Sequence, residues 1–230
     1  MVLSVACSLC LPLSFPLLPR RFGREQVKAR ERANVVTIFD WDDTLMPTSY
    51  FERTKCWQRL TPDDNRLLQN VENAARSALL EALSVGQVFI VTNAVEGWVE
   101  ASASKYLPSV VPLLKQLTII SARSIFEASH PKRVAFWKTL VFVELAATDV
   151  LQFATDLVVV GDSIAEMNAA RSVGGRLANT RIKAVKFMEQ PTASDLVREL
   201  EILSMNFSCI VGRRSGVNLH MSPDQLGGPK

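Results

Sequence analysis

Val35-Val36-Thr37-Ile38-Phe39 is a charge-free run that ends abruptly in acid, with Asp40, Asp42 and Asp43 falling within four positions. β-Branched and aromatic side chains suit a pleated surface, so the run predicts a buried strand. The carboxylates arrive where that strand must stop. Like charges a few ångströms apart repel, so holding Asp40 and Asp42 together costs free energy. A divalent cation would offset that cost, and Mg²⁺ takes oxygen ligands of this kind. Aspartate can also act as a nucleophile in phosphoryl transfer. The same residues suit an acidic turn that caps the next segment, because Asp is common in turns. Taken alone, the stretch leaves both open.

The chain beyond it alternates helix and strand. Thr61-Pro62-Asp63-Asp64 offers an N-cap, a first-turn proline and acids at the positive end of a helix dipole. Leu67, Leu68, Val71, Ala74, Ala75, Ala78 and Leu79 then recur at helical spacing. Gly86 ends that helix, and a second strand begins near Val88 and reaches Thr92. A short helix follows Gly97 and stops before Pro108. Leu117–Ser121 predicts a third strand, and Pro131 to about Leu145 a helix carrying Lys138. Leu157–Val160 is wholly apolar, as in a parallel strand covered on both faces. A helix over Ile164–Val173, a fifth strand over Ile182–Phe187 and a helix from Pro191 to about Met205 complete the pattern. Such alternation predicts an α/β fold with a doubly wound, mostly parallel sheet. Ligands of such sheets bind beyond the carboxyl ends of the strands. Asp40, Thr92 and Asp162 each fall just past a predicted strand end, so three polar strand ends converge on one rim.

Asp40-x-Asp42-x-Thr44 after a hydrophobic strand resembles the first motif of the haloacid dehalogenase-like (HAD) hydrolase superfamily. Phe89-Ile90-Val91-Thr92-Asn93 resembles its second motif, a strand ending in Thr or Ser. Lys138 stands where the third-motif lysine is expected, with Lys132 and Arg133 as competitors. Val158-Val159-Val160-Gly161-Asp162-Ser163-Ile164-Ala165-Glu166 resembles the acidic fourth motif, with Glu166 where the family often has Asp. The resemblance spans about Val35 to Phe187 and implies a Rossmann-like core and a Mg²⁺-dependent phosphohydrolase. In that scheme Asp40 attacks phosphorus and forms an aspartyl-phosphate, and Asp42 is the general acid–base. Thr92, Asn93 and Lys138 hold the phosphoryl oxygens. The metal set is Asp40, the backbone carbonyl of Asp42, Asp162 and Glu166, the last through a water. A phosphotransferase or mutase on the same chemistry is the alternative, as is a non-catalytic phosphate-binding protein of the same fold. Ser163 is expected to cap the helix that follows it. Trp41 either walls the substrate or packs beneath the loop.

Composition bounds the remainder. Hydrophobic residues make up 48% of the 230 and charged ones 21%, enough for a core and unlike a disordered chain. Residues 20–32 hold six Arg or Lys and two Glu, so the net charge of +3 reports a basic arm and leaves the body near neutral. No cluster of basic and aromatic residues suggests a nucleic-acid groove. Four cysteines make no disulfide framework at this length; they suit small apolar positions in a reducing, cytoplasmic compartment. Residues 1–19 are uncharged and apolar, interrupted by Pro12, Pro16 and Pro19. A secretory or organelle leader there is the alternative to a disordered extension; no stable membrane span is expected. The expected division is an extension over 1–32, a catalytic domain over 33–220 and a loose tail over 221–230.

Neither the gap after Leu45 nor that between Asn93 and Lys138 is long enough for an inserted α/β lid. At most Pro47–Leu60 forms a small flap, with Phe51 and Trp57 as its apolar contacts. An open site is therefore expected, one that acts on a bulky phosphorylated substrate or is covered by another subunit.

Overall fold

The charge-free run Val35–Phe39 becomes the centre of the sheet. In the computed structural model, which describes residues 34–55 and 59–222, β1 spans Val35–Phe39 and all five of its residues are buried. β2 (Gly86–Thr92), β3 (Thr118–Ser121), β4 (Asp156–Gly161), β5 (Arg181–Lys186) and β6 (Val217–His220) join it in the order β3-β2-β1-β4-β5-β6. Every pairing is parallel. The chain builds outward from β1 to β3 on one side, then crosses back to lay β4 against the other flank of β1. The carboxyl ends of β1 and β4 thus meet at the point where the strand order reverses, the place where an open α/β sheet forms its crevice.

Successive residues of the strands serve opposite faces. Val35, Phe39, Val88, Ile90, Val158 and Val160 pack with α2 (Pro62–Val85) and α9 (Ala193–Gly212). Val36, Ile38, Phe89, Val91, Leu157 and Val159 pack instead with α6 (Val134–Ala146) and α8 (Ile164–Val173). The charge-free strands are explained by this double cover. α2 begins at a capping box in which Thr61 and Asp64 satisfy each other's backbone amides. α3 (Trp98–Tyr106) and α4 (Val111–Leu114) connect β2 to β3, while α5 (Ala122–Phe126) and α7 (Asp149–Gln152) flank α6 on the way to β4.

Some expected boundaries shift. The lysine helix starts at Val134 rather than Pro131, because Lys132 adopts a left-handed backbone (φ 64°) and Arg133 is the N-cap. α9 runs on to Gly212, and β6 was not expected at all. Between Leu45 and α2, a seven-residue helix α1 (Thr48–Thr54) buries Phe51, whose ring stacks on Tyr106 at 6.5 Å between centroids. The extension over 1–32 with Cys7 and Cys10, Cys56, Trp57 and the tail from residue 223 lie outside the described residues. Among the described residues, no helix is long and apolar enough to cross a membrane.

Candidate active site

A cleft of about 450 Å³ opens where β1 and β4 end. The Asp40 backbone amide donates to Val160 O at 2.9 Å, so the loop after β1 begins directly against β4. The loop then folds on itself. Trp41 O accepts from the amides of Thr44, Leu45 and Met46, and Asp43 takes a left-handed backbone (φ 57°). Asp43 also acts locally, because its Oδ1 accepts from Ser49 N at 2.9 Å and so ties the start of α1 to the loop. Trp41 is fully buried and donates through Nε1 to Ser102 Oγ at 3.0 Å, so it packs beneath the loop and does not wall the cleft.

The acidic residues converge as the sequence predicts. Carboxylate oxygens of Asp40, Asp162 and Glu166 all lie within 4.8 Å of one another. Lys138, from the second turn of α6, enters between two of them, with Nζ 2.7 Å from Asp40 Oδ1 and 2.5 Å from Glu166 Oε1. Its side chain is only 3% exposed. Lys138, not Lys132, is therefore the lysine of this site. Glu166 is committed twice: its other oxygen accepts from the Ser163 amide and hydroxyl, at 3.0 and 2.6 Å, and closes the capping box of α8. Ser163 is thus a helix cap, as expected. Gly161 has a steric reason: a Cβ there would lie 2.4 Å from Glu166 Cγ, so only glycine lets that side chain turn back across the strand end.

The remaining expected residues flank this cluster. The Asp42 carboxylate stands outside it and accepts from Thr48 Oγ1 at 2.6 Å and Trp98 Nε1 at 2.9 Å. Thr92 is buried at the end of β2; its hydroxyl accepts from Ala94 N at 2.9 Å and lies 3.4 Å from Asp42 Oδ2. Asn93 lines the cleft and donates its side-chain amide to Val134 O, which joins the β2 loop to the start of α6. Three contributors were not foreseen. Lys186, at the end of β5, donates to the backbone carbonyl of Asp162 at 2.7 Å and steadies the loop that carries it. Trp98 and Thr48 are the other two. A lysine closing an apolar strand carried a usable signal; a tryptophan just after a glycine did not.

Burial and mutual repulsion shift the acids of the cleft. Burial pushes the Asp40 carboxyl up to about 7; Lys138 opposes the rise, and Glu166 and Asp42 add to it. Burial, followed by the charges of Asp40 and Glu166, pushes Asp162 up to about 8. For Lys138 burial favours the neutral amine, but Asp40 and Glu166 reverse that and hold the group above the ordinary lysine range. For Glu166 burial raises the pKa, yet Lys138 and the Ser163 bonds outweigh it and hold the carboxyl below its usual value. Six carboxylates (Asp40, Asp42, Asp43, Glu52, Asp162 and Glu166) line the cleft against the single ammonium of Lys138. Lys138 contacts Asp40 and Glu166 but not the Asp162 carboxylate, and an oxygen-ligated divalent cation would offset the charge that remains. Asp40 and Asp162 suit such an ion best, because both oxygens of Glu166 are already occupied.

Comparison with protein-family models, with curated proteins and with solved structures returned no match. What the cleft can do therefore rests on its own chemistry.

Proposed function

We propose that this protein is a Mg²⁺-dependent phosphohydrolase of the HAD type that works through an aspartyl-phosphate. One observation carries this reading: the end of β1 presents one carboxylate, Asp40, to a buried lysine and a second acid, and another carboxylate two residues on, Asp42, to a separate set of donors. Two neighbouring aspartates in different environments suit different roles. Asp40 lies against the Lys138 ammonium, which favours its anionic form, and can attack phosphorus. Asp42, turned away from the lysine, can give a proton to the departing oxygen.

The steps balance on the chain's own groups. An Asp40 oxygen bonds to phosphorus as the ester P–O bond breaks, and the Asp42 proton goes to the leaving oxygen to release the alcohol. Water then attacks the phosphoryl group and loses a proton to Asp42, and the Asp40–phosphorus bond breaks. Inorganic phosphate leaves, and both aspartates are restored. Lys138 neutralises the phosphoryl charge as a point cation, and the Thr92–Asn93 segment positions its oxygens. Asp40, Asp162 and the Asp42 carbonyl would hold a Mg²⁺, which would supply the charge neutralisation so acidic a cleft needs to receive a dianion.

Substrate size follows from what stands around the cleft. Among the described residues the protein has one sheet, and the segment from Asn93 to Lys138 is taken up by α3, α4, β3 and α5. Among the described residues, α1 is the one helix between the first loop and α2. A cleft over which the described residues place no inserted lid suits a phosphate displayed on a bulky molecule, or one closed by a second subunit. The test is a panel of phosphorylated metabolites and phosphopeptides with Mg²⁺, with release of inorganic phosphate and acid-stable labelling of the protein as readouts. Asp40→Asn is expected to abolish both, and Asp42→Asn to lower the rate at least ~10²-fold, typical of a lost general acid. Folded variants that keep wild-type rates on the best substrate would remove the basis for the mechanism.

A further inference from the structure

The acid–base carboxylate of the proposed mechanism is held by an unforeseen element. Asp42 Oδ1 accepts two hydrogen bonds, from Thr48 Oγ1 at 2.6 Å and from Trp98 Nε1 at 2.9 Å, while Oδ2 has only the long 3.4 Å contact with Thr92. Trp98 is the first residue of α3, and Gly97 before it takes a left-handed backbone (φ 84°) that turns the chain into the helix. Nothing lies within 4 Å of where a Gly97 Cβ would be, so this glycine is needed for its conformation and not for space.

The link is reciprocal. Trp41, on the same loop as Asp42, donates to Ser102 Oγ of α3, and that hydroxyl in turn donates to Trp98 O at 2.7 Å. Two indoles therefore run in opposite directions between the β1 loop and α3, one buried beneath the loop and one in the cleft wall. An indole N–H can donate but never accept. It cannot take the proton from Asp42 or pass one to it. It can only fix the carboxylate rotamer and occupy one face of Oδ1.

We propose that Trp98 is a positioning residue for phosphoryl transfer: its indole N–H, with the Thr48 hydroxyl, saturates Asp42 Oδ1 and leaves Oδ2 as the oxygen that delivers the proton. The inference rests on the phosphohydrolase reading for its consequence, but the contact itself does not depend on turnover. A misdirected acid slows only reactions whose leaving group needs a proton. kcat/KM reports the steps up to phosphoenzyme formation, so its dependence on leaving-group basicity isolates this effect.

The experiment compares wild type, Trp98→Phe and Asp42→Asn, each with Mg²⁺, on alkyl phosphates and on p-nitrophenyl phosphate. Phe keeps an aromatic ring and removes the donor. Trp98→Phe is expected to lose about 10-fold in kcat/KM on alkyl esters, below the ~10²–10⁴ of a whole general acid, and less than about 2-fold on p-nitrophenyl phosphate. Asp42→Asn should show the same selectivity, enlarged, and Trp98→Phe should add nothing in that background. A second readout needs no activity: the Trp98 indole ¹⁵N–¹H resonance, identified by its loss in Trp98→Phe, should lie downfield and move upfield in Asp42→Ala. An equal loss on both ester classes, or an unmoved indole resonance, overturns the role assigned to Trp98 while leaving hydrolysis intact. A wild-type protein that turns over no phosphate ester, with the indole resonance still moving, overturns the phosphohydrolase reading and this catalytic role with it.

Discussion

Replacing Lys138 with methionine tests how the site is held together. Met keeps the length and most of the volume of the side chain and removes the charge. In the wild type Nζ stands 2.7 Å from Asp40 and 2.5 Å from Glu166, and the lysine side chain is 3% exposed. Coulomb's law at an effective dielectric of about 20 gives roughly 6 kcal/mol for a unit pair at that separation. Desolvation of the three ions consumes much of this, so the net worth of the cluster is modest. The variant differs, because it leaves two buried carboxylates facing each other, and breaking a buried pair in this way costs about 3–5 kcal/mol. Urea unfolding with chelator present, at pH 8, should show that loss. At pH 5 the loss should shrink, because the bereft carboxyls can take up protons. Lys138→Met/Glu166→Gln should recover part of the stability, since it removes one of the stranded charges. A single variant within about 1 kcal/mol of wild type at pH 8 would refute the reasoning, as would a loss that grows toward acid.

Three further outcomes are expected. Asp40 and Asp162 are raised above their unfolded value of 3.8, to about 7 and about 8. They contribute stability that is present below pH ~4 and lost as pH rises through those values. Chelated protein should therefore weaken between pH 4 and 8, and Mg²⁺ at about 100 times its Kd should restore roughly 2.7 kcal/mol; urea midpoints that ignore Mg²⁺ at pH 8 would contradict the metal assignment. Gly161→Ala should push Glu166 off Lys138, since the new Cβ meets its side chain at 2.4 Å; overpacking of this kind costs ~1–3 kcal/mol, and phosphatase activity should fall with it, whereas full activity would show that the Glu166 contact is dispensable. Asp156→Asn, at the opposite end of β4, should cost about 3–5 kcal/mol by stranding buried Lys183, while the specific activity of the folded fraction stays unchanged.

Much of the core was legible because its strands carry almost no polar residues. Val35–Phe39 and Leu157–Val160 read as buried strands from composition alone, and both are fully buried in the structure. β6 was not legible for the same physical reason in reverse. It is a four-residue edge strand whose side chains alternate between half-buried and exposed, so it has little apolar pattern to detect. The start of α6 was missed because a proline normally opens a helix, whereas here Pro131 precedes a left-handed Lys132. In the site, the backbone-proximal acids followed from strand ends. The side-chain donors to Asp42 did not, because Thr48 and Trp98 arrive from separate connections, and a tertiary contact 56 residues apart leaves no local mark.

Acids stand at both ends of β4, one fully buried and one half-buried, and the fold pairs them differently. Asp156 is wholly buried, yet it meets Arg181 at 2.6 Å and Lys183 at 2.7 Å. Burial would raise its pKa, but the bonds from Arg181, Lys183 and Thr155 outweigh burial and hold the carboxyl below its usual range. That carboxylate has what it needs from the fold, and its contribution to stability is lost only as pH falls through its lowered value. Asp162, six residues on, is raised to about 8. Its cluster has three acids and one lysine, too little positive charge to settle them all. The chain could have balanced that end as it balanced the other, with a second cation from β5. Lys186 comes near, but it donates to the Asp162 backbone carbonyl and to Phe187 O and pairs with Glu189 at 3.2 Å rather than with the Asp162 carboxylate. Under the phosphohydrolase reading that shortfall is what a bound Mg²⁺ would make good before a phosphate enters, and a cleft that binds neither in calorimetry would leave Asp162 an unpaired acid and nothing more.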